Sequence, residues 1–158
     1  MRSFSAATTR TRRGSRSTTD PTAADTVGQS FDPITGPGAC ASASSADQTG
    51  TATYRLPAAP AGGYTLMGSP TIIADINSPG PTSQIAARLL DVNGSNETLV
   101  ARGLYRPDIN TGTATTHQVF QLHPNGWKFQ AGHVAKLELL PADQPYGRNS
   151  NGQAPVID

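Results

Sequence analysis

From residue 51 onward the chain alternates apolar and polar residues with a period of two. In "TATYRL", Ala52, Tyr54 and Leu56 share one side while Thr51, Thr53 and Arg55 share the other, the pattern of a half-buried strand. Pro57, Pro60, Gly62 and Gly63 end that run, and "YTLMG" opens the next. After Ser69-Pro70, "TIIADI" puts Ile72, Ala74 and Ile76 on one face. "SQIAARLLDV" fits two periods, because Ile85, Leu89 and Val92 have helical spacing while Ile85, Ala87 and Leu89 alternate. Its turn-like flanks favour a strand. "NGSN" follows, a turn sequence that admits positive φ, and then "ETLVARGLYR" with Leu99, Ala101, Gly103 and Tyr105 in alternation. The two runs predict an antiparallel hairpin.

Beyond the loop "PDINTGTATT", "HQVFQLH" and "HVAKLELL" add two more strands. In the second, Ala135, Leu137 and Leu139 are expected inward, with Lys136 and Glu138 outward. About seven strands with no convincing helix predict an all-β fold, a β-sandwich of jelly-roll type. The composition agrees: 35% of residues are apolar, and 16 Gly and 13 Pro punctuate the chain, a mixture that suits short strands joined by turns.

Upstream of residue 51 the pattern is lost. Residues 1–30 are rich in Thr, Ser, Ala and Arg, hold too little apolar surface to offset the entropy of ordering, and are expected to form a disordered arm. Residues 31–50 carry Pro33, Gly36, Pro37 and Gly38 around a few apolar anchors, and read as an extended linker that could lie along the surface of the sandwich at 51–158. The net charge is +1 over 158 residues, yet five arginines (Arg2, Arg10, Arg12, Arg13, Arg16) against Asp20 place +4 in the first 20 positions, leaving −3 for the rest. The folded part is therefore not a basic nucleic-acid binder. The arginine-rich arm has no interleaved aromatics and reads as solvated chain. No run of about 20 apolar residues is available to cross a membrane, so a soluble protein is expected, with cytoplasm and secretion both open. The single cysteine, Cys40, excludes an intrachain disulfide and a multi-cysteine metal site.

Candidate chemistry is sparse. A serine hydrolase of the α/β type carries its nucleophile in G-x-S-x-G on a tight strand-to-helix turn; the nearest string, "GQSFD" at 28–32, replaces the second Gly by Asp32. His117, His123 and His133 lie six and ten apart, matching no metal-ligand spacing. "DVNGSNE" places Gly94 at the fourth position, not the sixth that a calcium loop requires. "NGS" and "NET" are formal glycosylation acceptors at Asn93 and Asn96. No catalytic, metal or cofactor-binding residue is expected. Trp127, Phe129 and Tyr146, with Tyr64 and Tyr105, are the aromatics available for stacking on a sugar, and Trp127 beside Pro124-Asn125-Gly126 is the best placed. The competing role for such a residue is a core plug or an interface anchor.

"KFQAGHVAKLELLPADQPYGRNSNG" is similar to the closing signature of the C-terminal domain of α/β-hydrolases of the X-Pro dipeptidyl-peptidase and cocaine-esterase type. The matching positions are Phe129, Ala131, Gly132, His133, Lys136, Leu137, Leu139, Asp143, Pro145, Arg148, Asn149 and Gly152. The hairpin strands "AARLLDV" and "LVARGLYR" also resemble paired strands of that domain, so the resemblance spans residues 51–152. It implies a galactose-binding-like jelly roll that is not itself catalytic and packs on an α/β-hydrolase domain, its expected partner. Some 50 polar residues upstream cannot hold such a hydrolase sheet, and the chain is accordingly expected to be a piece detached from the catalytic portion. In this reading Gly132 turns the chain into its strand, while His133 and the loop 143–149 hydrogen-bond each other's backbone at the sheet rim. The runner-up is a carbohydrate-binding module with Trp127 as its platform.

Overall fold

The computed structural model describes residues 17–18, 27–32, 34, 36–38, 40–77, 84–107, 116–147 and 156–157. The alternating runs form antiparallel strands: β3 (Ala52–Arg55), β4 (Tyr64–Gly68), β5 (Thr71–Asn77), β6 (Ile85–Asn93), β7 (Asn96–Tyr105), β8 (Thr116–Gln121) and β10 (Val134–Leu140). Four further strands have no alternation to announce them: β1 (Ser17–Thr18), β2 (Ser42–Ser44), β9 (Asn125–Phe129) and β11 (Val156–Ile157). Among the described residues there is no α-helix, only a 3-10 turn at Gly28–Phe31. The ambiguous run 85–93 is a strand.

A five-stranded sheet in the order β2-β7-β6-β10-β3 is the centre of the domain. Its front face carries Ala52, Ile85, Ala87, Ala101 and Leu139, which pack with Ile72, Ile76 and Phe120 from the second sheet, β1-β11-β5-β8, and with Leu122 just beyond β8. The molecule is an all-β sandwich. A two-stranded sheet of β4 and β9 covers the rest of the front face, where Phe129 stacks on Tyr64 at 4.8 Å between ring centroids and joins Ala59, Val100 and Ala135 in a second cluster. The residues between β8 and β9 lie along the edge of β7, with the His123 N–H donating to the Arg102 carbonyl (3.1 Å) and the Asn125 amide donating to that of Val100 (2.5 Å).

Turn chemistry sets the register. Asn93 pairs with Asn96 across Gly94-Ser95; Gly94 has φ +60° and, among the described residues, no non-glycine residue has positive φ, which makes this a type II′ turn with Gly at its first central position. Between Leu89 and Leu90 the register shifts, because Leu89 opposes Ala101 while Leu90 opposes Leu99. The extra residue, Val100, is thereby accommodated in a bulge and buried in the cluster beneath β9.

The back face of the central sheet departs from expectation. Lys136 and Glu138 do point away from the core, but both are completely buried, as are Arg88 and Asp143. Lys136 Nζ lies 2.8 Å from Glu97 Oε2 and 2.7 Å from Glu138 Oε1. Arg88 reaches Glu138 Oε2 at 3.0 Å and Asp143 Oδ1 at 3.3 Å. The segment upstream of β3 lies against this layer. Phe31 is buried, with the Arg88 guanidinium 6.0 Å from its ring centre, and the Ser45 carbonyl accepts a bond from Lys136. Within the stretch read as disordered, Ser17–Thr18 pair with β11 and the 3-10 turn starts at Gly28; most of its remaining residues lie outside the described ones. The outward direction expected for Lys136 and Glu138 holds, but strand period does not disclose the layer that covers them, in which Phe31 is a buried aromatic anchor.

Candidate functional site

The front-face row of β6 reads Ile85, Ala87, Leu89, Asp91, Asn93, and it changes from apolar to polar toward the hairpin turn. Its neighbours change with it. Asp91 opposes Thr98 on β7, which in turn opposes Ser42 on β2, and Asn93 opposes Asn96. Core packing stops here, and a cleft of about 530 Å³ opens over these residues. Its other wall is Gly126, Trp127 and Lys128 of β9, with Gln130 and His133 from the turn that follows.

Asp91 organises this wall. The Trp127 indole N–H donates to Asp91 Oδ2 at 2.9 Å, and His133 Nδ1 lies 3.0 Å from Oδ1. A carboxylate only accepts, so the histidine bond places its proton on Nδ1. The geometry follows from strand register: Val134 opposes Val92 and Ala135 opposes Asp91, so His133 is the diagonal same-face neighbour of Asp91. Gly132 delivers it there. Gln130–His133 form a turn closed by the His133 N–H to the Gln130 carbonyl (3.0 Å), with Gly132 at φ +81°, the third position of a type II turn, which requires positive φ. Replacing His133 by Ala would leave the largely buried Asp91 with one of its two side-chain donors. A loss of about 1–3 kcal/mol is expected, read as a lower melting temperature of the whole chain; an unchanged melting curve would contradict it.

The expected link between His133 and the loop 143–149 is not formed, since His133 bonds Asp91 and Asp143 bonds Arg88 in the buried back-face layer. Pro145 lies exposed in the turn Gln144–Tyr146, and Arg148, Asn149 and Gly152 lie outside the described residues. Phe129, weighed as a partner or sugar contact, is 1% exposed and serves the core. Tyr146 is held away from the cleft, its ring 4.0 Å from the Arg102 guanidinium and its hydroxyl 2.7 Å from His123 Nε2; burial raises its pKa. Of the three aromatics singled out, Trp127 alone lines the cleft. Lys128 and Gln130 are marked by no motif position, and Asp91, Asn96 and Thr98, met in the sequence through calcium-loop and glycosylation patterns, line the cleft with them.

Among the described residues no group of three His, Cys, Asp or Glu side chains could hold a metal ion, and no helix is long and apolar enough to cross a membrane. Each described histidine side chain is bonded to a carboxylate or a phenol: His117 to Asp75 at 2.9 Å, His123 to Tyr146, His133 to Asp91.

The architecture defines the class first: an all-β sandwich domain. Solved structures with the same fold are then found among hydrolases. The chain superposes on part of an α-amino acid ester hydrolase with a TM-score of 0.59 and 16% identity, covering 68% of this chain and 23% of that one. A CocE/NonD family hydrolase from Staphylococcus aureus gives 0.57 and 12%, with 74% and 29% covered. An aminopeptidase from a marine sediment Thaumarchaeota archaeon gives 0.61 and 11%, with 90% and 30% covered. This chain thus spans less than a third of the length of each. No protein-family model matches the sequence, and no curated protein does.

Proposed function

We propose that this chain is a non-catalytic accessory domain of an α/β-hydrolase of the X-Pro dipeptidyl-peptidase and cocaine-esterase type, a C-terminal jelly roll acting beside a catalytic domain that supplies the Ser, His and Asp. The observation that carries this reading is the shared fold: most of this chain matches less than a third of several hydrolases. Its own side chains support the assignment. An α/β-hydrolase core needs helices packed on a parallel sheet, whereas every strand pair described here is antiparallel. Asp91 and His133 have the carboxylate-to-imidazole half of a triad, but a triad also needs a serine, threonine or cysteine within hydrogen-bond reach of the imidazole. The bonds described for the three imidazoles end on Asp75, Tyr146 and Asp91 instead.

A contact surface for the catalytic domain is available on the outward face of β5 and β8. Ile73 and Val119 oppose each other there, 55% and 56% exposed, between the Thr71–Gln121 and Asp75–His117 pairs. An apolar centre with a polar rim is the anatomy of a protein interface.

Two measurements test the proposal. Incubating the purified chain with a fluorophosphonate probe should label no serine. The DNA around its coding sequence should carry, in frame or adjacent, a G-x-S-x-G motif with later Asp and His codons. A labelled serine would make the chain a hydrolase in its own right and overturn the proposal, as would the absence of any such hydrolase from the surrounding DNA.

A further inference from the structure

We propose that the cleft between the β6–β7 hairpin and β9 is a carbohydrate-binding site, in which a pyranose ring lies against the Trp127 indole and its hydroxyls are read by Asn93, Asn96, Thr98 and Gln130. The proposal does not depend on the accessory role. It begins from the change along the front face of the central sheet, because Ile85, Ala87 and Leu89 belong to the core while Asp91 and Asn93, two and four residues further on, are polar and line the cleft, Asp91 buried against Trp127 and His133 and Asn93 exposed. Apolar side chains at these positions would extend the core beneath β9. The residues present instead line a cavity of about 530 Å³, within the ~300–1,000 Å³ of small-molecule sites.

The lining selects the chemistry. Amides and hydroxyls each donate and accept, as sugar hydroxyls do, and they come here from two strands and a turn around one opening. The charge balance disfavours strongly ionic ligands. The Asp91 carboxylate is already engaged by Trp127 and His133, which leaves it poorly suited to a cation, and Lys128 is the one lysine or arginine in the lining, too little for a phosphate group. Trp127 provides the apolar surface that the CH face of a pyranose needs, and it is held before any ligand arrives. Its N–H is tied to Asp91, and the strand that carries it is paired to β4 with Leu66 opposite. A rigid aromatic wall lowers the ordering cost of binding.

The chain contains one tryptophan, so its intrinsic fluorescence reports directly on the cleft. Titrating the whole chain with galactose, glucose, mannose, xylose and N-acetylglucosamine, and with oligosaccharides retained on a glycan array, should give a saturable change in Trp127 emission for at least one of them. Asn96 and Gln130 are exposed and outside the apolar clusters, so Asn96→Ala and Gln130→Ala should keep the melting temperature and weaken binding by roughly fivefold to tenfold each. No saturable response to any sugar, or a response that both variants leave unchanged, would overturn the proposal. So would a response confined to a charged competitor such as inorganic phosphate.

Discussion

Replacing Lys136 by methionine should lower the stability of the domain at pH 7 by roughly 3–5 kcal/mol, although methionine matches the lysine stem in length and vacates only the position of the ammonium. Lys136 is fully buried on the back face of the central sheet, and its ammonium contacts Glu97 at 2.8 Å and Glu138 at 2.7 Å. Removing it strands two buried carboxylates. Arg88 still serves Glu138 at 3.0 Å, so the loss falls hardest on Glu97, whose ion-pair partner among the described residues is Lys136. Urea unfolding read by tryptophan fluorescence would measure the change as a lower midpoint at constant slope.

The same layer sets a pH dependence. Burial, followed by repulsion from Glu138, pushes the Glu97 carboxyl above its ordinary value even with Lys136 in place to oppose them. A carboxyl whose folded pKa lies above its unfolded one favours the native state below the unfolded value and loses that contribution as pH rises through the folded one. Without Lys136 the rise must be larger, so the variant's deficit should shrink on going from pH 7 toward pH 4.5. Glu97→Gln, which removes the group that burial already disfavours as an anion, should cost less at pH 7 than Lys136→Met. A Lys136→Met domain as stable as the parent at both pH values would show that the buried layer holds no net charge energy.

How much of this could be read from the sequence depended on the range of the interaction. Alternation located β5, β6, β7 and β10 because a strand with one covered face records its burial residue by residue. β9 escaped, since Gly126 after Pro124-Asn125 reads as a turn; in the fold Asn125 instead fixes the strand start by bonding the Val100 carbonyl and the Gly126 N–H. β2 escaped because Ser-Ala-Ser has no large apolar side chain to mark a covered face, and it forms by pairing with the edge of β7. The periodicity of β10 places Lys136 and Glu138 on the outward face and says nothing about what covers that face, so their burial is not legible in the sequence. For His133 the sequence suggested the nearby loop, yet its partner is 42 residues away and is chosen by the β6–β10 register. The cleft was legible only in part: Trp127 stood out by type, while Asp91, Asn96 and Gln130 acquire meaning from being gathered at one end of one sheet.

A single methyl group at Gly63 should be among the most damaging small changes to the fold. Gly63 has φ +65°, and a Cβ built on it would fall 2.3 Å from the backbone carbonyl oxygen of Phe129. Backbone cannot swing aside as a side chain can, because Phe129 is paired to Tyr64 in the next register position and packed in the cluster with Ala59, Val100 and Ala135. Gly63→Ala must therefore separate β4 from β9 or distort the turn closed by the Gly63 N–H and the Pro60 carbonyl, at a cost of roughly 3 kcal/mol. Gly132→Ala is the control. That glycine also has positive φ, at +81°, but nothing lies within 4 Å of its would-be Cβ, so the change carries the conformational strain alone, about 1–2 kcal/mol. Gly63 lies against the backbone at the end of β9 and Gly132 sits in the turn that follows it, and both variants can be compared by urea unfolding under one set of conditions. Equal losses would mean that the close approach at Gly63 is relieved by a small shift of β9. The expected excess at Gly63 would place the rigidity of the Trp127 wall in the pairing of β4 with β9.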